Sequence, residues 1–99
     1  MSDLLLIDDD QELCELLSSW LSQEGFQVRA CHDGLSARKA LSESSPDAVV
    51  LDVMLPDGSG LELLKQLRHD HPELPVLMLS ARGEPLDRIL GLEIGRAHV

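Results

Sequence analysis

The fold class of this chain is decided by residues 48–60, which read AVVLDVMLPDGSG. An uninterrupted apolar run suits a strand that is covered on both faces, which means a parallel sheet with helices outside it. The run ends in a single carboxylate, Asp52, and a Leu-Pro turn with two glycines follows. Because open α/β sheets bind their ligands at the carboxyl ends of the strands, we expect Asp52 to be the centre of a site.

Composition is typical of a small globular protein and excludes several kinds of partner. Ninety-nine residues with 43% hydrophobic content allow one domain with one core. A formal charge of −10 repels nucleic acid and anionic membranes, so we expect no nucleic acid and no membrane to bind this segment. Cys14 and Cys31 lack metal-ligand spacing and predict reduced, partly buried thiols. With no signal peptide in view, we expect a cytoplasmic location.

Apolar runs that suit strands alternate with periodic segments that suit helices, in the order β-α-β-α-β-α-β-α. The predicted strands span residues 3–7, 26–31, 48–52 and 75–80. This alternation predicts right-handed crossovers and a flavodoxin-like, doubly wound parallel sheet of order 2-1-3-4 with helices on both faces.

The predicted helices are identified by apolar residues at helical spacing. The first helix is expected to bury Leu13, Leu16, Leu17, Trp20 and Leu21. A second follows the Asp33-Gly34 turn, and a third runs from about residue 59 to residue 71. A fourth is expected around residues 86–90 and should reach at least Glu93.

Polar residues end three of the predicted strands: Asp8 and Asp9 the first, Asp52 the third and Ser80 the fourth. Strands one and three are neighbours in the order 2-1-3-4, so the three aspartates should converge in one acidic pocket. Carboxylates this close raise one another's pKa unless a cation neutralises them, and such hard oxygen ligands suit Mg²⁺. A carboxylate beside Mg²⁺ can act as a nucleophile and form an aspartyl phosphate, to which Ser80 could donate a hydrogen bond.

These segments resemble the receiver domains of two-component response regulators. Residues 4–10, LLLIDDD, look like the acidic opening of that family, and residues 50–60 look like its phosphoacceptor segment. Residues 78–83, MLSARG, look like its switch segment. Residues 86–93, LDRILGLE, most resemble the OmpR/PhoB branch of DNA-binding regulators. The resemblance covers residues 3 to about 95.

The resemblance implies phosphoryl transfer from a partner sensor histidine kinase, with Mg²⁺ as the cofactor. It makes Asp52 the phosphoacceptor and a metal ligand, Asp9 the direct Mg²⁺ ligand and Asp8 its water-mediated neighbour. The backbone carbonyl of Met54 becomes a further metal ligand, and the hydroxyl of Ser80 the group that moves toward the phosphoryl group. The implied parent is a transcription regulator whose DNA-binding domain is absent from this segment.

The C-terminal residues depart from the family pattern. The family continues into a fifth strand, a lysine beside the phosphoryl site and a fifth helix, all beyond Val99, so its homodimer face should be largely missing. Residues 94–99, IGRAHV, match one reading frame of a common sequencing adapter. We therefore expect a truncated receiver domain over residues 1–95 and a non-family tail over 96–99, or over 94–99 if it derives from an adapter. Without a fifth strand, strand four should present an exposed apolar edge.

Three functions are compatible with these residues. The leading one is a phosphorelay receiver, which is not an enzyme. A Mg²⁺-dependent phosphohydrolase of the haloacid-dehalogenase kind also uses an aspartyl nucleophile, but it requires a second aspartate two residues later, where this chain has Met54. The third is an inactive truncated fragment. Asp10 is better interpreted as a helix N-cap than as part of the site.

Overall fold

The computed structural model describes residues 2–79 and 92–93. Ser80 and residues 86–91 of the predicted fourth helix lie outside the described residues. The elements are β1 (Ser2–Ile7), α1 (Gln11–Gln23), β2 (Phe26–Cys31), α2 (Gly34–Glu43), β3 (Ala48–Asp52), α3 (Gly60–Asp70), β4 (Val76–Leu79) and β5 (Leu92–Glu93).

The strands form a single sheet of order β2-β1-β3-β4-β5, in which β1 to β4 are parallel. This confirms the predicted order 2-1-3-4. Ile7 of β1 is opposite Leu51 of β3, so the next residues along these two strands are Asp8 and Asp52. The same register places Ile7 opposite Cys31 of β2. The carboxyl ends of the three strands therefore meet at one edge of the sheet.

The outer side of β4 differs from the prediction. Leu92–Glu93 pairs antiparallel with β4, with Glu93 opposite Val76 and Leu92 opposite Leu77. The prediction that a fourth helix reaches Glu93 is therefore wrong, and the edge of β4 that was predicted to be exposed is paired at Val76 and Leu77. An edge strand presents unpaired N–H and C=O groups, and a short extended segment of the same chain can hydrogen-bond to them.

The sheet is covered on both faces, as its continuous apolar strands require. Leu5 and Ile7 of β1 belong to a core cluster with residues of α2 and α3, including Ala37 and Leu63. The alternate residues of β1 pack with α1 on the other face, around Cys14. Within the described residues, no helix is long and apolar enough to cross a bilayer.

Helix α1 faces the sheet with fewer residues than its apolar pattern predicted. Cys14 is buried, and Leu17 and Leu21 pack against the core. Leu16 and Trp20 are 68% and 58% exposed, so their predicted burial is wrong. The five apolar residues predicted to be buried cover a wider arc of the helix than the one that contacts the sheet. The inward residues Cys14, Leu17 and Leu21 lie at positions i, i+3 and i+7 and define the contacting arc.

Two aspartates begin helices by accepting hydrogen bonds from backbone N–H groups. The side chain of Asp10 accepts from the N–H of Leu13 at 3.0 Å, which confirms its N-cap role. Asp33 caps α2 in the same way, accepting from the N–H of Ser36 at 2.8 Å. Each cap satisfies a backbone donor that has no partner within its helix.

Candidate functional site

Three carboxylates converge at the carboxyl ends of β1 and β3. Each of Asp8, Asp9 and Asp52 offers a carboxylate oxygen, and these oxygens all lie within 4.8 Å of one another. Asp8 and Asp52 are 4% and 5% exposed, whereas Asp9 is exposed. The site therefore has two buried carboxylates and one that faces solvent, and the predicted convergence of the three aspartates is confirmed.

The backbone and side chain of Asp8 are both held by hydrogen bonds. Its N–H donates to the carbonyl of Cys31 at 3.0 Å, which ties it to the end of β2. Its Oδ1 accepts from the N–H of Asp10 at 2.9 Å. Burial raises the pKa of Asp8 above its usual range, and the charges of Asp52, Asp9 and Asp10 act in the same direction, while the Asp10 hydrogen bond opposes them. The ionised form of Asp8 is thus disfavoured until a cation compensates it.

Asp52 is oriented by the turn that follows β3. Its Oδ1 accepts a hydrogen bond from the backbone N–H of Met54 at 2.9 Å. The N–H of Val53 donates to the carbonyl of Leu79 at 3.2 Å, which continues the pairing of β3 with β4. The Met54 side chain is exposed. The backbone at Met54 therefore lies beside the acidic cluster, and the role of its carbonyl as a metal ligand stays a prediction.

The loop between β3 and α3 is anchored by Asp57. Its Oδ1 accepts from both the backbone N–H and the hydroxyl of Ser59, at 3.0 and 2.6 Å. Its Oδ2 accepts from the N–H of Gly34, the first residue of α2, at 3.3 Å. These hydrogen bonds, that of the Ser59 hydroxyl first, lower the pKa of Asp57. The sequence of this stretch predicts only a turn and does not indicate the link to α2.

Two further side chains contact the site without having been predicted there. The Nδ1 atom of His32 lies 3.0 Å from the backbone carbonyl oxygen of Asp8, and the thiol of Cys14 lies 3.4 Å from the same oxygen. His32 directly follows β2, whose last residue is opposite Ile7, so the parallel register could have indicated it. No spacing rule indicated Cys14. Ser80, the remaining predicted site residue, lies outside the described residues.

The donor set fits a divalent cation with a preference for oxygen. Carboxylates are the ligands that Mg²⁺ takes in proteins, together with water and phosphate oxygens. Two buried carboxylates held this close to a third also carry a repulsion that a cation would remove. The raised pKa of Asp8 is the sign of that uncompensated environment. The residues present therefore fit Mg²⁺.

Comparison with known proteins identifies one family. Its profile, described as the response regulator receiver domain, matches residues 4–99. The transcriptional regulatory protein CpxR homolog of Haemophilus influenzae is 54% identical over 95 residues, which cover 96% of this chain and 41% of that protein. CpxR of Klebsiella pneumoniae is 52% identical over 95 residues, covering 96% of this chain and 40% of that protein. The chain thus spans about 40% of the length of these curated relatives.

A solved structure shows the same fold. The non-phosphorylated HemR receiver domain from Leptospira biflexa superposes with a TM-score of 0.80 at 33% identity, over 98% of this chain and 78% of that one. The profile match extends over nearly the whole chain, and the sheet order and the acidic cluster are those predicted from the pattern of strands and helices. This chain therefore belongs to the response regulator receiver domain family.

Proposed function

We propose that this chain accepts a phosphoryl group on Asp52 from a phosphohistidine of a partner sensor histidine kinase. The observation that carries the proposal is the position of Asp52: a 5% exposed carboxylate at the end of β3, with Asp8 and Asp9 within 4.8 Å. Membership of the receiver family supports the same chemistry. The segment is then the receiving part of a phosphorelay.

In the proposed transfer, a carboxylate oxygen of Asp52 attacks the phosphorus atom. An O–P bond forms and the P–N bond to the imidazole breaks, with its electron pair left on the imidazole nitrogen, so the product is an acyl phosphate. The N–H of Met54 orients the carboxylate for this attack through its hydrogen bond to Oδ1. Asp52 is 5% exposed, so the surrounding atoms restrict the motion of its carboxylate.

Asp8, Asp9, Asp52 and the Met54 carbonyl would hold Mg²⁺ at this site. The ion, when bound, supplies positive charge against the negative charge of the transferring phosphoryl group. Asp9 is the exposed member of the three carboxylates. Ser80 follows Leu79, which is opposite Asp52 in the sheet, and we assign its hydroxyl as a donor to the phosphoryl oxygens.

The curated relatives are transcriptional regulatory proteins, and this chain covers about 40% of their length. We assign the parent protein the same role, with DNA bound by a separate C-terminal domain. The formal charge of −10 argues that this segment does not itself contact DNA, and the assignment places it in the cytoplasm with its kinase. The chain is a stoichiometric acceptor rather than a turnover enzyme, because Met54 stands where a phosphohydrolase of this chemistry needs an acid/base carboxylate.

Phosphorylation with a small donor tests the proposal. The 99-residue chain is incubated with acetyl phosphate and MgCl₂, and intact mass spectrometry is expected to show one added phosphoryl group that hydroxylamine removes. Asp52→Asn should form no adduct. The unsubstituted chain should also form none when EDTA replaces MgCl₂ in the reaction. Asp47→Asn, directly before the first residue of β3, should retain it because Asp47 contacts the N–H of Asp3 and not the site.

Two outcomes would contradict the proposal. One is the absence of any hydroxylamine-labile adduct on the folded, Mg²⁺-loaded chain. The other is steady release of many equivalents of phosphate from a phosphate monoester, which would indicate a phosphohydrolase.

A further inference from the structure

The carbonyl oxygen of Asp8 accepts hydrogen bonds from side chains of two different elements. His32 approaches from the end of β2 with its Nδ1 atom at 3.0 Å, and Cys14 approaches from α1 with its thiol at 3.4 Å. The N–H of Asp8 is bonded in turn to the carbonyl of Cys31, the residue before His32. The backbone of Asp8 is therefore held on both sides by the end of β2.

This carbonyl belongs to the peptide group that joins Asp8 to Asp9. The peptide group is planar, so holding its oxygen also fixes the direction in which the chain continues to Asp9. Asp9 is exposed, so packing contributes little to the position of its carboxylate. Mg²⁺ demands near-ideal octahedral geometry, and a change in this direction would move one carboxylate relative to the other two.

We propose that His32 is a positioning residue of the metal site: its Nδ1–H holds the Asp8–Asp9 peptide so that both carboxylates face Asp52. The proposal rests on the proposed function only for the identity of the metal. A carbonyl oxygen can only accept, so the 3.0 Å contact requires the ring proton to be on Nδ1. Cys14 is the weaker second donor to the same oxygen.

The positioning role of His32 is tested by measuring the affinity of the chain for Mg²⁺, which requires no phosphoryl transfer. Isothermal titration calorimetry on the 99-residue chain is expected to show about tenfold weaker Mg²⁺ binding for His32→Leu, the lower end of the usual effect of removing a hydrogen bond that orients a metal ligand. His32→Asn should retain most of the affinity, because its amide N–H can occupy the position of Nδ1–H. His69→Leu, an exposed histidine on α3, should bind Mg²⁺ as the unsubstituted chain does.

The ring tautomer gives a second, metal-independent readout. Long-range ¹H–¹⁵N correlation spectra of the metal-free chain are expected to show the neutral His32 ring protonated on Nδ1. A neutral ring protonated on Nε2 alone overturns the proposal, and so does a His32→Leu variant with unchanged Mg²⁺ affinity. If His32→Leu does not fold, His32→Asn is compared with His32→Gln, whose N–H reaches the Nε2 position instead; equal affinities would then overturn it.

The two proposals fail in different ways. If Asp52 receives no phosphoryl group while Mg²⁺ affinity still depends on the residue at position 32, the phosphoacceptor assignment fails and the role of His32 stands. If Asp52 is phosphorylated and the affinity does not depend on position 32, only the role of His32 fails. A chain that binds no Mg²⁺ contradicts both.

Discussion

Around the acidic cluster, single ionisable residues occupy surroundings that disfavour charge. Burial raises the pKa of the Cys14 thiol to about 11, and the nearby carboxylates, Asp8 first, act in the same direction. Burial also raises the pKa of Cys31, although a hydrogen bond with the Ser36 side chain opposes this. Both thiols are free and buried. They are therefore neutral side chains of the core at physiological pH rather than reactive groups.

The raised pKa of Cys14 predicts a loss of stability in alkali. The folded chain holds this thiol proton more tightly than the unfolded chain, so the free energy of unfolding should fall as pH rises from the ordinary pKa of 9.0 to about 11. A shift of this size corresponds to a decrease on the order of 2–3 kcal/mol. Urea unfolding from pH 8 to pH 11 measures it. Cys14→Ala should show a shallower dependence on pH, and an identical slope in the two proteins would contradict the prediction.

At the scale of elements, two constraints hold the connection from β3 to α3, which lies beside the acidic cluster. Gly60 begins α3 directly against the backbone carbonyl of Val53, where a Cβ atom would overlap. Asp57 ties the same loop to the first residue of α2. Met54 lies between Val53 and Asp57 in the chain. The position of its backbone beside Asp52 therefore depends on both constraints.

A methyl group at position 60 should disturb that connection. Gly60→Ala forces its Cβ against the Val53 carbonyl, and overpacking of this kind costs about 1–3 kcal/mol of unfolding free energy. The shift of the loop should also weaken Mg²⁺ binding. Leu61→Ala is the matched control, since Leu61 is exposed and its loss should change stability by no more than about 0.5 kcal/mol. Equal unfolding curves for the two variants in urea would show that the loop tolerates the added atom.

At the scale of the whole molecule, the main feature of the composition is the excess of acidic over basic residues, which causes electrostatic repulsion. A formal charge of −10 on 99 residues opposes compaction, and three of the acidic side chains are gathered in one cluster. Salt screens such repulsion between exposed groups, whereas a bound cation also removes it among buried ones. Monovalent and divalent salts should therefore affect stability differently.

Thermal unfolding at matched ionic strength separates the two effects. NaCl should raise the midpoint temperature slightly by screening. MgCl₂ at about a hundred times its dissociation constant should add about 2.7 kcal/mol of stability, with about 4–8 °C of midpoint shift for each kcal/mol. Asp9→Asn should lose this additional shift, while Glu43→Gln, which removes one charge far from the site, should keep it. Equal midpoints in the two salts would show that Mg²⁺ acts only by screening.

The sequence by itself determined the sheet order and the acidic cluster. The apolar runs of β1 and β3 are buried on both faces, and each ends in aspartate, so neighbouring parallel strands bring Asp8, Asp9 and Asp52 together. The Asp10 cap was also predictable, because it depends only on residues within one turn of α1. All of these features follow from patterns of neighbouring residues and from the alternation of strands and helices along the chain.

Only the tertiary structure decided the features that depend on how segments meet. The sheet turns Leu16 and Trp20 of α1 outward, because a helix face is selected by its neighbour and not by its own apolar residues alone. The pairing of Leu92–Glu93 with β4 depends on a free sheet edge and on a distant segment that can reach it, and neither is visible in a local sequence pattern. His32 and Cys14 meet at the Asp8 carbonyl although they are 18 positions apart in the chain. Such contacts join residues with no common periodicity, so they are set by the packing of elements in space.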